Sequence, residues 1–323
     1  MSKVFITGGT GLIGSALAKR LVADQHDVIL YDAFMSFVPF IHSRYQEYLQ
    51  HRMKGLHGNP HVTFVRGDTR SSQSLAEALL EHTPDAVVHL AALPIAKESM
   101  EHPHEATSIN LGGTITLLEC LRLSRSVKRM VFASSSFVYG HFQSEPADEQ
   151  HPLNPIDIYG VTKLSGEMLT RVYCDRMGIE HVVVRPSAVY GFTDTNRRIT
   201  QIFVERALEG KPLTLHDGGT SRLDFTYVED IAQGLHLATL KPEAKNETFN
   251  LTRGQARSIA DLAEVIREFV PDVKLVSEPT DLVRPNRGAL SIDKARRLLG
   301  YEPRWDLEEG MRVYIQRLQE LAR

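Results

Sequence analysis

The amino-acid sequence predicts an α/β protein built around a doubly wound parallel sheet, followed by a smaller mixed α/β lobe. Short apolar runs alternate with stretches of helical periodicity over the first half of the chain. Most of these runs end in small or polar residues, which is typical of strands whose carboxyl ends lie beside a ligand. The first run also leads through a glycine-rich turn directly into a helix.

The chain begins with a strand–turn–helix unit. Residues 4–6 form the apolar run, and a helix follows the turn. Glycines in the turn allow the backbone to approach a ligand closely, and the helix N-terminus offers free N–H groups to an anion. We therefore expect this Rossmann-like unit to bind the pyrophosphate of a dinucleotide through Gly8, Gly11, Leu12, Ile13 and Gly14.

An acid ends the second predicted strand, which covers residues 28–32. Asp32 follows Gly14 by 18 residues, a spacing that fits a carboxylate on the ribose hydroxyls of NAD. Its charge would repel the 2′-phosphate of NADP, and no arginine follows directly to bind that phosphate. The sequence thus predicts NAD as the cofactor. No function is predicted for residues 33–61, although a helix is expected over 43–53.

Four further strands are predicted over residues 62–65, 86–90, 129–133 and 181–185. Helices are expected over 74–80, 107–123 and 156–177, the second of them interrupted at Gly112 and Gly113. Because the carboxyl ends of parallel strands lie along one edge of a sheet, the residues after them should meet there. The cofactor contacts predicted at this edge are Asp68, Thr69, Leu90, Ala91, Ala92, Ser134 and Pro186.

The regular alternation is lost in the second half of the chain. Helices are predicted over 199–209, 228–240, 258–269 and 292–299, with a last helix starting at Asp306, and strands over 223–227 and 249–251. We expect residues 1–180 to form the NAD-binding domain, with 216–242 returning to it. Residues 181–323 are expected to form mainly the substrate-binding lobe.

Composition narrows the class of protein. The chain has 323 residues, a net charge of −3 and two cysteines, Cys120 and Cys174. Charges of both signs are mixed along the chain, so we expect neither a nucleic acid nor a membrane as partner. Two cysteines are too few for a disulfide framework, and no metal site is predicted. No apolar run approaches the roughly 20 residues that span a bilayer. A cytoplasmic protein is the expectation.

Tyr159 and Lys163 carry the predicted chemistry. They lie four residues apart in a predicted helix, so their side chains share one face. Tyrosine is a poor base, with a free pKa of about 10, but a nearby lysine and an oxidised nicotinamide favour its phenolate. Ser135, at a neighbouring strand end, can hydrogen-bond the same substrate oxygen. Such a group removes a proton from an alcohol as hydride passes to NAD.

These motifs together resemble the extended short-chain dehydrogenase/reductases, and among them the NAD-dependent epimerase/dehydratase branch typified by UDP-glucose 4-epimerases. The resemblance covers nearly the whole chain. It rests on the glycine turn, Asp32, residues 89–92, Asn110, residues 134–140, Tyr159-x-x-x-Lys163, Arg185-Pro186, residues 224–230 and residues 294–301.

The resemblance implies specific roles. Tyr159 would be the base, Lys163 its activator and a ribose ligand, and Ser135 the catalytic hydroxyl. Asn110 would join the cofactor-binding residues. Substrate contacts would come from Ser135, Ser136, Tyr159, Arg222 and Arg284. Arg287 and the Arg197-Arg198 pair are further cations that the second lobe offers to a substrate phosphate. A homodimer would form through the helices that hold residues 110–123 and 159–177.

The chain departs from the family pattern in three places. Dehydratases of the family carry Thr-Asp-Glu where this chain has Ser135, Ser136 and Phe137, so a group needed for eliminating water is absent. An asparagine common before the Val-Tyr-Gly after the sixth strand is Ala188. The usual Arg-Asp-Phe is replaced by a sequence in which Arg222 is shifted by one residue. The last two positions commonly help to hold a nucleotide diphosphate.

Three functions remain open from the sequence. The first is an NAD-dependent sugar epimerase, acting on a nucleotide sugar through transient hydride transfer and a keto intermediate. The second is an NAD-dependent dehydrogenase of a nucleotide-free sugar, polyol or sugar acid. The third is a non-catalytic NAD-binding regulator. Cofactor retained through purification favours the first, net NADH production the second, and NAD binding without turnover the third.

Overall fold

The computed structural model describes residues 1–35, 45–279 and 285–321. Its strands are β1 (Lys3–Thr7), β2 (Asp27–Asp32), β3 (Val62–Arg66), β4 (Ala86–His89), β5 (Arg129–Ala133), β6 (Glu180–Pro186), β7 (Val189–Tyr190), β8 (Leu213–His216), β9 (Arg222–Asp224), β10 (Thr226–Tyr227), β11 (Glu247–Leu251), β12 (Ala256–Ser258) and β13 (Leu275–Glu278). A 7-stranded sheet has the order β11-β6-β5-β4-β1-β2-β3, and each neighbouring pair in it is parallel. This confirms the predicted doubly wound α/β fold.

Helices connect the strands. They are α1 (Leu12–Ala23), α2 (Tyr45–Met53), α3 (Ser72–His82), α4 (Ala96–Glu101), α5 (Pro103–Thr107), α6 (Gly113–Ser124), α7 (Ile158–Met177), α8 (Ile199–Leu208), α9 (Val228–Leu240), α10 (Ile259–Phe269), α11 (Asp293–Leu299) and α12 (Leu307–Leu321). Among the described residues, no helix is both long and apolar enough to cross a membrane.

The core lies on both faces of the large sheet. Val4 and Ile6 of β1 pack with α1 and α9, whereas Phe5 between them packs on the opposite face with α3, α6 and α7. Successive side chains of a strand point to opposite faces, so a strand covered on both sides is apolar throughout. This explains why the first apolar run is uninterrupted.

The order of the sheet creates the binding cleft. β1 lies between β2 and β4, so the chain winds away from it in both directions. Ligands of such sheets bind outside the carboxyl ends of the strands, where this reversal separates the connecting loops. The three two-stranded pairs β7–β10, β8–β13 and β9–β12 belong to the smaller lobe, with α8 and α10 beside them.

Some sequence-based boundaries were wrong. Residues 223–227 form two strands: β9 pairs antiparallel with β12, and β10 pairs parallel with β7. The chain changes course after Asp224, whose buried carboxylate accepts hydrogen bonds from Thr252, Gly254 and Leu290. The two glycines at 112 and 113 do not interrupt a helix, because a π-helical turn, Ser108–Gly112, joins α5 to α6.

The large sheet also extends beyond residue 180. β6 and β11 are its last two strands, so the short run predicted at 249–251 is the edge of the main sheet. The division of the chain at residue 180 therefore does not divide the sheet, and its assignment to cofactor and substrate stays a prediction. The helix predicted over 43–53 corresponds to α2, with residues 43 and 44 outside the described part of the chain.

Candidate active site

A cavity of about 440 Å³ opens at the carboxyl edge of the large sheet. Nearly all of the residues predicted from the sequence to bind cofactor or substrate line it. These are Gly8, Gly11, Leu12, Ile13, Gly14, Asp32, Asp68, Thr69, Leu90, Ala91, Ala92, Ser134, Ser135, Ser136, Tyr159, Lys163 and Pro186. Which of them contact a ligand stays a prediction, but the structure brings them together in one cleft.

The glycine turn leaves a cradle that other residues would fill. Gly8 has a φ of +68°, and a Cβ there would lie 2.9 Å from the backbone nitrogen of Ala91. A Cβ at Gly14 would lie 2.5 Å from the carbonyl oxygen of Gly8. The turn thus packs closely against the start of α1 and the loop after β4, and the first residues of α1 line the cavity. This arrangement fits a dinucleotide pyrophosphate.

Asp32 ends β2 beside this turn. Its carboxylate accepts hydrogen bonds from the backbone N–H groups of Thr10, at 3.0 Å, and Phe34, at 2.8 Å. These bonds fix the carboxylate at the cavity wall, where ribose hydroxyls can still reach its free lone pairs. Asp68, one strand further on, is held by Arg70, whose hydrogen bonds lower the pKa of Asp68.

The predicted catalytic side chains come from the segment after β5 and from α7. Asp157 caps α7 by accepting a hydrogen bond from the Gly160 N–H at 2.7 Å, which fixes the first turn that carries Tyr159. Tyr159 and Ser135 line the same cavity, and the Ser135 hydroxyl acts on the pKa of the Tyr159 phenol. Lys163, one turn later, donates from Nζ to the Ala133 carbonyl at 2.8 Å. The three predicted catalytic residues therefore form one group.

Burial sets the proton affinities of this group. Burial raises the pKa of Tyr159 above 10.0, and the charge of Arg198 and the Ser135 hydroxyl oppose that shift. Burial lowers the pKa of Lys163 to about 8. Burial opposes the phenolate in the protein alone. The expected stabilisation of the phenolate by Lys163 and an oxidised nicotinamide stays a prediction.

Two serines beside this group have unused hydroxyls. Ser134 and Ser136 are 2% and 1% exposed, and their Oγ atoms have no hydrogen-bond partner among the described residues. Buried hydroxyls normally have a partner, so these two indicate a polar ligand in the cleft. Phe137 occupies the place of the dehydratase glutamate and packs edge-on against the Tyr159 ring, with centroids 5.5 Å apart.

Arginines from outside the large sheet also line the cavity. Arg197 and Arg198 precede α8, and Arg198 pairs with the buried Asp194 at 2.9 Å. Arg287 lies over the Phe137 ring, 4.2 Å from its centroid. Arg52 of α2 reaches the same wall from the segment for which the sequence predicted no function. The sequence offered Arg197, Arg198 and Arg287 as candidate cations, whereas Arg52 was not predicted.

Two of the predicted residues that the structure describes, Asn110 and Arg222, do not line the cavity. Asn110 is buried behind it, where it binds the backbone of Leu93 and the hydroxyl of Thr162. Its role is therefore to join the loop after β4 to α7. Arg222 lies on the surface, 47% exposed, and pairs with Glu145 at 2.7 Å. Arg284 lies outside the described residues.

The cleft fits NAD because the glycine cradle accepts a pyrophosphate, Asp32 faces the ribose position, and the unpartnered hydroxyls lie near Tyr159. Proteins with this sheet and this Ser/Tyr/Lys group are extended short-chain dehydrogenase/reductases, and the chain is an NAD-dependent enzyme of that class. More narrowly, it belongs to the NAD dependent epimerase/dehydratase family, whose model matches residues 4–252.

Full-length relatives support this assignment. A protein of Bacillus subtilis described as an uncharacterized UDP-glucose epimerase is 32% identical, with 99% of this chain and 98% of that protein aligned. A UDP-glucose 4-epimerase of Thermotoga maritima, solved with UDP-glucose, has a TM-score of 0.89 at 27% identity, over 99% of this chain and 100% of that one.

A second solved structure is similar to the same extent. It is a UDP-glucuronic acid 4-epimerase of Bacillus cereus in complex with UDP-glucuronic acid and NAD. The TM-score is 0.88 at 29% identity, over 98% of this chain and 99% of that one. The ligands of the two solved neighbours, UDP-glucose and UDP-glucuronic acid, have the same nucleotide and different sugars.

Proposed function

We propose that this protein is an NAD-dependent 4-epimerase of a nucleotide sugar. The observation that carries the proposal is the Ser135–Tyr159–Lys163 group in the cleft, with Phe137 beside it where a dehydratase has an acid. The relatives described above are nucleotide-sugar epimerases, which favours epimerisation over net oxidation. The same group would also serve a dehydrogenase, so the fate of the hydride decides between them.

The residues act as follows in this proposal. The glycine turn and Asp32 would hold NAD, which would supply a reversible hydride acceptor for the sugar carbon. Tyr159 takes the proton of the sugar hydroxyl, while Ser135 hydrogen-bonds the same oxygen and holds it at the phenol. Lys163, fixed by the Ala133 carbonyl, keeps a positive charge near the phenol at pH values below about 8. Phe137 closes one side of the site and offers no carboxyl group for eliminating water.

The nucleotide diphosphate needs cations, because two buried phosphates are stabilised chiefly by charge-assisted hydrogen bonds. Arg198 and Arg287 line the cleft and replace Arg222 as its proposed ligands, since Arg222 points to the surface and pairs with Glu145. Arg284 was expected in the same role. Ala188 also lines the cleft, where the family commonly has asparagine, so the diphosphate depends more on the arginines.

The test is direct. Purified protein is incubated with UDP-glucose or UDP-glucuronic acid without added NAD, and the products are separated by chromatography. We expect the 4-epimer to form, with no net NADH and no 4-keto-6-deoxy product. Steady NADH formation from a nucleotide-free sugar or sugar acid, with no binding of UDP, GDP or dTDP at millimolar concentration, would instead establish a dehydrogenase.

A further inference from the structure

Arg52 is a buried arginine that joins the two sides of the cleft. It is 6% exposed, although it comes from α2 in the long segment after β2. Its Nη1 donates to the carbonyl of Thr10 at 3.3 Å, within the glycine turn. Its Nε donates to the Thr193 hydroxyl at 3.3 Å, and its Nη2 to the Thr195 hydroxyl at 3.2 Å.

The second side of this bridge has an unusual backbone. Thr193 has a φ of +77°, a conformation that a β-branched residue rarely adopts. Arg52 Nη2 also donates to the Thr193 carbonyl, so one guanidinium binds both the backbone and the hydroxyl of this residue. The loop between β7 and α8, which also carries Arg198, is thus held against the glycine turn.

The charge of Arg52 has no carboxylate partner among the described residues. Asp194 and Asp32 act on Arg52 only through their charge, since Asp194 pairs directly with Arg198 and Asp32 accepts the N–H groups of Thr10 and Phe34. The groups that Arg52 does contact are neutral carbonyls and hydroxyls. An unpaired buried charge is costly, and burial accordingly lowers the pKa of Arg52.

We propose that Arg52 is a positioning residue that retains NAD, because it adds a positive charge with no direct carboxylate partner among the described residues beside the pyrophosphate cradle and holds the 193–195 loop over it. The need to retain NAD through the reaction rests on the proposed function. An epimerase returns the hydride it removed, so it must keep the reduced dinucleotide bound between the two steps. The binding role itself does not depend on which sugar is the substrate.

The experiment compares nucleotide binding in the wild type, Arg52→Gln and a matched control, Arg267→Gln. Arg267 is an exposed arginine of α10 that pairs with Glu264, far in sequence from the cleft residues. After bound nucleotide is removed, calorimetry measures the affinities for NAD, ADP, adenosine and UDP. Dissociation of NADH is followed by fluorescence during a chase with excess NAD.

We expect Arg52→Gln to weaken NAD and ADP about tenfold to a hundredfold, the range for losing a charge-assisted contact, and to leave adenosine and UDP unchanged. NADH should dissociate faster by a similar factor, and Arg267→Gln should match the wild type. Equal losses for ADP and adenosine would show a purely structural role and overturn the proposal. A loss confined to UDP would assign the charge to the substrate diphosphate and overturn it as well, as would no change at all.

A second variant guards against misfolding. Arg52→Lys keeps a charge but cannot bind the glycine turn and Thr193 at once. We expect it to retain most of the affinity for ADP and to release NADH about tenfold faster than the wild type. If this variant releases NADH at the wild-type rate, the bridging role is refuted. If no tested sugar is epimerised while these binding results hold, the proposed function fails and the role of Arg52 stands.

Discussion

At the scale of single residues, burial explains the chemistry of the catalytic group. Desolvation raises the pKa of Tyr159 and lowers that of Lys163, so both side chains are held towards their neutral forms. A neutral phenol beside Ser135 is ready to donate a proton as well as to lose one. This suits a reaction in which the same proton leaves a substrate oxygen and returns to it.

Replacing Tyr159 by phenylalanine tests the proton transfer. We expect Tyr159→Phe to lose about two to four orders of magnitude in turnover, the usual contribution of general acid–base catalysis. NAD binding and the unfolding temperature should stay close to those of the wild type, because the ring still packs against Phe137. Product formation in a discontinuous assay measures the change. Near-normal turnover would place the base on another residue.

The pKa of Lys163 predicts a stability effect with a definite sign. The folded protein holds this pKa at about 8, below the ordinary 10.5, so the unfolded chain binds more protons between those values. The free energy of unfolding of the wild type should therefore rise relative to that of Lys163→Met as pH increases from 8 to 10. Each pKa unit corresponds to about 1.4 kcal/mol. Urea unfolding at several pH values measures the difference, and parallel curves for the two proteins would contradict the assignment.

Asp32 predicts the choice between the two nicotinamide dinucleotides. Its carboxylate is fixed by the N–H groups of Thr10 and Phe34 at the cleft wall, so it would meet a 2′-phosphate with a like charge. We expect NAD to bind at least tenfold more tightly than NADP in a fluorescence titration, and Asp32→Ser to narrow that ratio. Equal or tighter binding of NADP by the wild type would disprove the prediction.

The sequence predicted the parts of the site that lie on the large sheet and missed those that reach it from elsewhere. Strand ends share one edge by topology, so Asp32, Ala91 and Ser135 could be placed together without coordinates. Arg52 reaches the cleft from a long connection, and no local periodicity records such a contact. Arg287 was a candidate cation from the sequence, but its position over the Phe137 ring is a long-range contact that only the structure shows. Arg222 was misplaced because a motif position does not fix the direction of a side chain.

At the scale of elements, strands were predicted well where burial of both faces of the sheet makes the whole strand apolar. Apolar runs predicted six strands of the large sheet, because helices cover both faces of that sheet and its strands are apolar throughout. β11 was seen only as a short strand, because its pairing with β6 is a long-range contact. β9 and β10 were merged, because the interruption between them comes from a buried carboxylate with distant partners.

Asp224 should therefore be a strong determinant of stability in the smaller lobe. Its carboxylate accepts hydrogen bonds from the Thr252 hydroxyl at 2.9 Å and from the N–H groups of Gly254 and Leu290 at 3.2 and 3.1 Å. An asparagine offers one acceptor oxygen for these donors, so Asp224→Asn should lower the free energy of unfolding by about 1–3 kcal/mol. Urea unfolding at pH 6 measures the loss, with Asp272→Asn, an exposed aspartate, as the control.

The pH dependence of that loss is a second check. Burial raises the pKa of Asp224 to about 7, so the folded state binds the extra proton between its ordinary 3.8 and 7. The contribution of Asp224 to stability accordingly falls as pH rises through this range. The difference between the wild type and Asp224→Asn should thus be larger at pH 5 than at pH 8. A difference that grows with pH would show that the carboxylate is charged when folded.

At the scale of the whole molecule, the two parts of the chain meet around one cleft. The large sheet supplies the cofactor cradle and the catalytic group, and the loops before α8 and before α11 supply the arginines. α2 and Arg52 connect these halves from the cofactor side. Such a division lets the reaction centre stay constant while the loops vary, which agrees with solved neighbours that act on different sugars.

The outer face of α6 and α7 predicts the oligomeric state. Val161, Met168 and Val172 lie on one side of α7 and are 49%, 60% and 50% exposed. Ile115 and Leu123 belong to α6, which contacts α7, and are 38% and 53% exposed. Apolar side chains clustered in this way usually mark an interface, since covering them stabilises an assembly by about 25 cal/mol per Å². Two copies that pair these helices would form the homodimer expected from the family resemblance.

We expect light scattering after gel filtration to give twice the mass of the 323-residue chain at micromolar concentration. The double variant Met168→Glu/Val172→Glu should give the monomer mass, because two charges per subunit would be desolvated in the interface. Val276→Glu is the matched control, since it places one charge on an exposed valine of β13, outside both helices, and should leave the dimer intact. A wild type that is monomeric, or a double variant that dimerises as tightly as the wild type, would show that this face is not the interface.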